Sequence, residues 1–354
     1  MQYRQLGSSD LKVPVVTFGA WAIGGWYWGG TDDDQAVRAI HAAIDHGMTA
    51  IDTAPVYGFG RSERVVGRAI RDRRDKVIVM TKIGLRWDDD RGEPFFDTVD
   101  QDGVKRAVHR NARPWSVKQE VEESLKRLGV ETIDLIQVHW PDPQTPIEST
   151  MAALVELMRV GRVRAIGVSN YSVAQLKEAR AALGDVPLAS LQPKYSLVAR
   201  EIEGELLPFC RAENVGVIVY SPLEQGLLTG TVSETRTFDT TDGRHKRPTF
   251  MPENRALVNA TLRRVVQPIA GRHGATIGQT VIAWTVAQPG VTSAIVGART
   301  PEQAIENAKA GDIVLTAGEL AEIRTAFETL ELDLPGKEGA PSKLKGFFKR
   351  ILGK

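Results

Sequence analysis

The chain has 354 residues, a net charge of +1, 25% charged residues and 42% hydrophobic residues. This composition is that of a globular protein with ample apolar material for a core, and it excludes a global field that would attract nucleic acid or a membrane. The single cysteine, Cys210, excludes an intrachain disulfide and suits a reducing compartment. Because Cys210 lies in a helical pattern, we expect a buried, inert thiol.

No segment has the pattern of a signal peptide or a membrane span. Residues 1–10 have no apolar core and no cleavage-like site, and no apolar run approaches ~20 residues. We therefore expect a cytoplasmic protein.

The first predicted element is a small hairpin whose polar turn is Gly7-Ser8-Ser9-Asp10. After it, short apolar runs rich in β-branched residues alternate with helical patterns, as in buried parallel strands. Eight strands are predicted, at residues 15–18, 49–51, 77–81, 133–138, 163–168, 188–191, 215–219 and 292–296.

Helical patterns separate these strands. The predicted helices cover residues 33–46, 116–128, 146–160, 172–183, 202–213, 276–287 and 301–310. Eight strands with intervening helices favour an α/β protein with a (β/α)8 TIM barrel, although open doubly wound sheets of eight strands also exist.

Two connections, at residues 84–115 and 224–252, are too long for simple turns. Both follow the carboxyl ends of strands, so we expect long loops over the face where barrels build active sites. They are either lids and substrate walls or solvated insertions without a role. The basic residues of the first are expected to form a solvated surface; they are Lys105, Arg106, Arg110 and Arg113.

The composition changes near the C-terminus, so we predict a barrel domain over residues 1–334 and a tail over residues 335–354. Residues 343–354 include five basic residues and no acidic one. Apolar residues in the same stretch recur at helical spacing, which predicts an amphipathic helix with a basic face. The tail either packs on the barrel or makes weak contact with a membrane surface or a protein.

Four polar residues, Asp52, Tyr57, Lys82 and His139, lie at or just beyond the ends of three consecutive predicted strands. Strand ends meet on one face of a barrel, so these side chains should converge. A nearby ammonium lowers the pKa of a phenol, which is normally near ~10. Lys82 can supply this charge to Tyr57, Asp52 can hold Lys82, and His139 can orient a substrate oxygen or relay the proton. Each residue alone has a structural explanation, but together they predict a proton-transfer site.

The sequence around these four residues resembles the signature of the aldo-keto reductases. The matching stretches are residues 50–58 with Gly60, Ser62-Glu63 and Gly67, then Thr81-Lys82, residues 137–141 and residues 161–171. The similarity runs from Tyr3 to Glu331 and is strongest to the bacterial branch of general-stress and inositol-utilisation-type reductases. It implies hydride transfer from a nicotinamide to a carbonyl carbon, with Tyr57 protonating the oxygen and with no metal.

The chain has no Rossmann fingerprint, because Glu63 stands at the third glycine position of the stretch that begins at Gly58. A better anion site is predicted before the helix at residues 301–310. There Thr300 can cap the helix, Pro301 fits its first position, and Gln303 can close a capping box. A helix N-terminus presents free N–H groups to a phosphate, although an ordinary well-capped helix is the alternative.

The resemblance implies that this segment holds the adenosine end of the cofactor, where Arg299 favours NADPH and makes NADH the weaker cofactor. The implied cofactor-binding residues are Ala20, Trp21, Asp52, Ser169, Asn170, Gln192, Tyr220, Ser221, Pro222, Leu223, Glu224, Gln225, Gly226, Gly297, Arg299, Gln303, Glu306 and Asn307. Among them, Ser169, Asn170 and Gln192 match the carboxamide site, and Tyr220 matches the ring that stacks on the nicotinamide. Residues 221–226 match the pyrophosphate site.

The implied substrate pocket consists of Trp21, Tyr57, His139 and Trp140. Gly84 stands where the family frequently has a tryptophan, so the resemblance does not define the shape of the pocket. The expected function is NADPH-dependent reduction of aldehydes or ketones. One alternative is a redox sensor or accessory subunit with negligible turnover, as in channel-associated members of the superfamily. The other is a lyase that forms a Schiff base on Lys82.

Overall fold

The computed structural model describes residues 1–334, which contain thirteen strands. The strands are β1 (Tyr3–Gln5), β2 (Lys12–Pro14), β3 (Val16–Gly19), β4 (Ala50–Asp52), β5 (Ile78–Ile83), β6 (Leu85–Arg86), β7 (Glu93–Val99), β8 (Lys105–Arg110), β9 (Ile133–Val138), β10 (Val163–Ser169), β11 (Leu188–Gln192), β12 (Gly216–Tyr220) and β13 (Ser293–Gly297).

Eleven α-helices occur in the same part of the chain. They are α1 (Asp33–Asp45), α2 (Arg61–Ile70), α3 (Pro114–Leu128), α4 (Ile147–Arg159), α5 (Val173–Leu183), α6 (Leu206–Ala212), α7 (Pro252–Thr261), α8 (Gln267–Arg272), α9 (Ile277–Val286), α10 (Pro301–Lys309) and α11 (Ala317–Glu328). Ser172, Thr276 and Thr316 each begin a helix with a reciprocal capping box, which satisfies backbone donors that have no partner inside the helix.

Eight parallel strands form a closed barrel in the order β3, β4, β5, β9, β10, β11, β12 and β13. Pairing of Val296 with Phe18 closes the barrel between its last and first strands. Small and medium apolar side chains such as Ala50, Met80 and Leu135 fill the interior. The predicted (β/α)8 fold is confirmed, and it places the carboxyl ends of all eight strands on one face.

The predicted N-terminal hairpin is also confirmed, because β1 and β2 pair in antiparallel fashion. Leu6 and Leu11 of its turn region are buried in the same cluster as the barrel interior. The hairpin therefore closes the amino-terminal end of the barrel and leaves the opposite end for chemistry.

Several boundaries differ from the prediction. The first long connection folds into an antiparallel sheet in the order β6, β8, β7, and helices α2, α7, α8 and α11 were not predicted. Helix α3 begins at Pro114, whose fixed φ suits the first helical position, rather than at Ser116. The predicted helix at residues 202–213 is a short 3₁₀ turn, Glu201–Glu203, followed by α6.

In residues 1–334, no helix is both long enough and apolar enough to cross a bilayer. The predicted tail at residues 335–354 lies outside the described residues.

Candidate active site

Three adjacent barrel strands deliver the predicted catalytic side chains to one point. Asp52 ends β4, Lys82 is the penultimate residue of β5, and His139 directly follows β9. Lys82 Nζ lies 2.6 Å from Asp52 Oδ1 and 3.3 Å from the Tyr57 hydroxyl. The rings of Tyr57 and His139 are 5.9 Å apart and nearly perpendicular. The structure thus brings all four residues together.

The backbone beside Tyr57 is fixed by a close approach to the turn after β3. Gly58 has φ of +63°, and a Cβ atom added there would lie 2.1 Å from the carbonyl oxygen of Gly24. Only glycine fits both the conformation and the space. This contact fixes the position of the phenol relative to the turn that carries Trp21.

Lys82 is fully buried, and its ammonium donates to three oxygens, those of Asp52, Tyr57 and the backbone of Thr53. The second oxygen of Asp52 accepts from Gln192 Nε2 at 2.8 Å and from Gln137 Nε2 at 3.4 Å. Sequence reasoning did not assign a role to Gln137. A glutamine within the otherwise apolar buried strand β9 was the available signal, because such a residue needs a buried partner.

Burial sets the protonation of the site. It raises the pKa of Tyr57 well above its ordinary value, and the charge of Asp52 adds to this effect. The expected lowering of this pKa is therefore wrong in direction, since burial and the charge of Asp52 both raise it. Burial, followed by the charge of Lys82, lowers the pKa of His139 well below its usual range. At neutral pH the phenol is a proton donor and the imidazole is uncharged.

A second layer of polar contacts supports the catalytic residues from α2. Glu63 is fully buried and accepts from Thr81 Oγ1 at 2.7 Å and from Arg127 Nε at 2.5 Å. Ser62 is paired with Thr53 at 2.8 Å and donates to the Ala20 carbonyl at the same distance. These contacts tie α2 to β5 and to the turn after β3, and they give Ser62 and Glu63 of the motif a structural role.

The residues assigned to the carboxamide site form one network beside His139. Asn170 Nδ2 donates to the His139 carbonyl at 3.0 Å, and the Tyr220 hydroxyl donates to Asn170 Oδ1 at 2.9 Å. Ser169 Oγ donates to the backbone of Gln192 at 2.7 Å. Gln192 points its amide nitrogen at Asp52, so its side chain supports the catalytic pair in this conformation.

The 221–226 segment, which was assigned to the pyrophosphate, contains several residues in the left-handed conformation. Ser221, Glu224 and Gln225 all have positive φ although none is glycine, and Gly226 follows with φ of +96°. These left-handed residues form a compact turn, in which the N–H groups of Glu224 and Gly226 donate to the carbonyl oxygens of Ser221 and Leu223 at 2.9 and 3.0 Å. The segment also contains Pro222 and Leu223, and it buries the carboxylate of Glu224.

The predicted adenosine site lies at the start of α10. Thr300 caps the helix as predicted, but Gln303 Oε1 accepts from the Arg299 backbone at 2.9 Å and does not complete a capping box. The Arg299 guanidinium donates to the carbonyl oxygens of Trp28 at 3.1 Å and Gly30 at 3.5 Å.

The two remaining adenosine-site residues support neighbouring segments. Glu306 accepts from Thr276 Oγ1 at 2.9 Å, and Asn307 Nδ2 donates to the Gly297 carbonyl at 3.1 Å. Asn307 therefore holds the turn between β13 and α10, and Glu306 ties α10 to the residue that caps α9.

Aromatic side chains surround Tyr57. The Trp21 ring lies 6.2 Å from the Tyr57 ring and stacks on Tyr27 at 5.2 Å. Trp140 packs against Phe95 of β7 at 5.5 Å, so the sheet in the first long connection forms one wall. The indole nitrogen of Trp21 is buried without a hydrogen-bond partner in the described residues, which leaves a donor for a ligand.

The second long connection also reaches this face, because Asp242 forms a β-bridge with Trp28.

The basic residues of the first connection are not simply solvated. Arg110 is half-buried with its guanidinium 5.0 Å from the centre of the Phe95 ring, and Arg106 is paired with Asp100. The expectation of a solvated surface is wrong for Arg106 and Arg110, which contact an acid and an aromatic ring, whereas Lys105 is exposed as expected.

Comparison with known proteins decides the family. Residues 15–328 match the model of the Aldo/keto reductase family. The chain belongs to this family. It is therefore an oxidoreductase that acts on carbonyl groups and uses NAD(P)H.

Individual relatives cover nearly the whole chain. The NADH-specific methylglyoxal reductase of Escherichia coli K12 is 39% identical over 92% of this chain and 98% of its own length. The structure of the glycerol dehydrogenase AKR11B4 from Gluconobacter oxydans covers 96% of this chain and 99% of its own, with 37% identity and a TM-score of 0.83. The structure of an aldo/keto reductase from Klebsiella pneumoniae, solved with NADP and acetate, covers 94% of this chain and 100% of its own, with 28% identity and a TM-score of 0.69.

Proposed function

We propose that the protein reduces aldehydes or ketones to alcohols with NADPH, and that Tyr57 is the general acid. The observation that carries this proposal is the position of Lys82 Nζ, which lies between Asp52 Oδ1 at 2.6 Å and the Tyr57 hydroxyl at 3.3 Å. A protonated phenol with an ammonium beside it can give up its proton to an oxygen that gains negative charge.

Each residue of the site has a separate task in this reaction. When bound, the nicotinamide supplies the hydride. Tyr57 donates its proton to the substrate oxygen, and Lys82 stabilises the phenolate that remains. Asp52 keeps Lys82 charged and in place. His139 is neutral, so it donates a hydrogen bond to the carbonyl oxygen without adding a second cation.

Residues that surround the site support cofactor binding. Residues 221–226 would hold the pyrophosphate. The carboxamide would be bound by Ser169, Asn170 and Gln192, and the nicotinamide ring would stack on Tyr220. Ala20 and Trp21 lie at the same face. Gly297, Arg299, Gln303, Glu306 and Asn307 would form the adenosine site. Arg299 supports NADPH as the preferred cofactor, because a guanidinium pairs well with a 2′-phosphate.

The surroundings of Lys82 favour reduction over a lyase reaction. Its amine is fully buried and donates to three oxygens, whereas Schiff-base formation requires a free amine that can reach the substrate. Trp21 and Trp140 would flank the substrate beside Tyr57 and His139. A single barrel domain, a cytoplasmic location and weak contacts through the C-terminal tail remain predictions.

The test is a panel of small, aromatic and polyol-derived aldehydes and ketones, assayed separately with NADPH and NADH. The proposal predicts turnover of several carbonyl compounds with a higher kcat/KM for NADPH. Nucleotide binding without turnover of any carbonyl would favour the sensor or accessory role. A preference for NADH would contradict the role given to Arg299 but not the reaction.

A further inference from the structure

A buried acid lies in the middle of the segment assigned to the pyrophosphate. Glu224 is 1% exposed, and its carboxylate accepts from Lys194 Nζ at 2.7 Å and from Ser196 Oγ at 3.3 Å. An uncompensated carboxylate at this position would repel the phosphates, so its presence requires an explanation.

Lys194 reaches Glu224 from the neighbouring strand. It lies just beyond β11 and forms a parallel β-bridge with Tyr220, the residue that precedes the 221–226 segment. The Tyr195 backbone donates to the Tyr220 carbonyl at 3.2 Å, and the Tyr220 backbone donates to the Pro193 carbonyl at 3.0 Å. The ion pair therefore joins two segments that are already in register on either side of Tyr220.

The backbone that Glu224 occupies is strained. Glu224 and Gln225 adopt φ of 43° and 55°, a region that non-glycine residues rarely occupy. Such a conformation persists only where surrounding contacts impose it. The contacts of the Glu224 side chain with Lys194 and Ser196 supply such a constraint.

We propose that the Lys194–Glu224 pair prepares the 221–226 segment for the cofactor pyrophosphate. This inference rests on the proposed cofactor site. Glu224 fixes the left-handed backbone through its side chain, and Lys194 neutralises the carboxylate so that phosphates bound at this segment meet no net negative charge. Both residues are positioning residues and do not take part in the chemistry.

The test uses three variants and measures the Kd for NADPH by quenching of tryptophan fluorescence. Lys194→Met leaves the buried carboxylate uncompensated, so its Kd should rise about tenfold. Glu224→Gln keeps the shape and removes the charge, so its Kd should rise less than that of Lys194→Met. The double variant, with neither charge, should recover to a similar value. Lys118→Met is the matched control, since it removes the same charge from an exposed pair with Glu156.

The outcomes separate this inference from its alternatives. A double variant as weak as Lys194→Met would overturn the proposal and indicate that Lys194 binds phosphate directly. An unchanged Kd in Lys194→Met, with the variant shown to be folded by thermal denaturation, would also overturn it. If the wild-type protein itself failed to bind NADPH, the proposed cofactor site would fail before the pair was tested.

Discussion

Two buried aspartates lie at opposite ends of the barrel and have different surroundings. Asp134, near the start of β9, accepts from Arg74 at 2.7 Å, from Arg164 at 2.7 Å and from the Val79 backbone at 2.8 Å. Asp52, at the end of β4, has one buried cation, Lys82, which also contacts the Tyr57 hydroxyl. The first carboxylate has two cations and holds strands together. The second belongs to a chain of contacts that ends in a proton donor.

The comparison shows how a structural ion pair differs from the pair in the proposed active site of this barrel. Arg74 and Arg164 remain 32% and 45% exposed, so their charges are solvated without Asp134. Lys82 has a side chain that is 1% exposed and depends on Asp52 for its charge. Removing a cation at one end should therefore affect stability, and removing it at the other should affect the reaction.

The largest effect is expected for Lys82→Met. Without the ammonium, the phenolate left by proton transfer loses its stabilising charge, and kcat/KM for an aldehyde should fall roughly 10³-fold. The matched control is Arg74→Met, which removes one cation from Asp134 and should leave kcat/KM within about twofold. Steady-state rates with saturating NADPH measure both. Similar losses of kcat/KM in the two variants would contradict the different roles given to the two ends of the barrel.

Asp134→Asn should produce the opposite pattern. Two arginines lose their common carboxylate but stay solvated, so the free energy of unfolding should fall by about 1–2 kcal/mol through the lost charge-assisted hydrogen bonds. Activity of the folded enzyme should stay near wild type because Asp134 is at the other end of β9 from His139. Urea denaturation and initial rates, measured on the same preparation, check the two halves of this prediction. Loss of activity without loss of stability would contradict it.

A smaller, pH-dependent effect is expected for Glu120→Gln. Glu120 of α3 is buried and accepts from the Gly84 backbone at 3.0 Å and from Ser116 Oγ at 3.2 Å. Burial raises its pKa to about 8. In the unfolded state the pKa of this carboxyl is ~4.3. Between that pH and about 8, the folded state holds a proton that the unfolded state has lost, so the free energy of unfolding falls as pH rises.

Glutamine does not titrate, so the stability of Glu120→Gln relative to wild type should increase from pH 5 to pH 8. The expected slope is about 1 kcal/mol per pH unit. Urea denaturation at four pH values measures it. A difference between the two proteins that stays constant over this range would show that Glu120 keeps an ordinary pKa in the fold.

The sequence predicted the barrel and the convergence of the catalytic residues well, because strand ends in a closed parallel barrel must meet. Asp52, Lys82 and His139 could be placed from their positions after apolar runs alone. The direction of the Tyr57 pKa shift could not, since it depends on how deeply the phenol is buried and on how close it lies to the charge of Asp52. Gln137 was also missed, as only the structure shows that its side chain reaches Asp52.

The antiparallel sheet of the first long connection was harder to predict. Its strands β7 and β8 are joined by a turn through Asp102-Gly103, a pair typical of hairpins, but their side chains are only partly buried, and a register shift between Pro94 and Phe96 interrupts the alternation in β7. The missed helix α2 begins at Arg61; the residue before it, Gly60, is in a left-handed conformation and offers no side-chain cap. In both places tertiary contacts with the barrel replace the local signals on which sequence analysis depends.

The central claim is that Tyr57 gives its proton to the carbonyl oxygen. Its most direct test is the single-turnover rate of NADPH oxidation in Tyr57→Phe, with the Kd for NADPH measured on the same protein and Tyr3→Phe as the control. The account predicts a rate at least roughly 10³-fold below wild type and a Kd that is nearly unchanged. A rate within tenfold of wild type at full NADPH occupancy would contradict it.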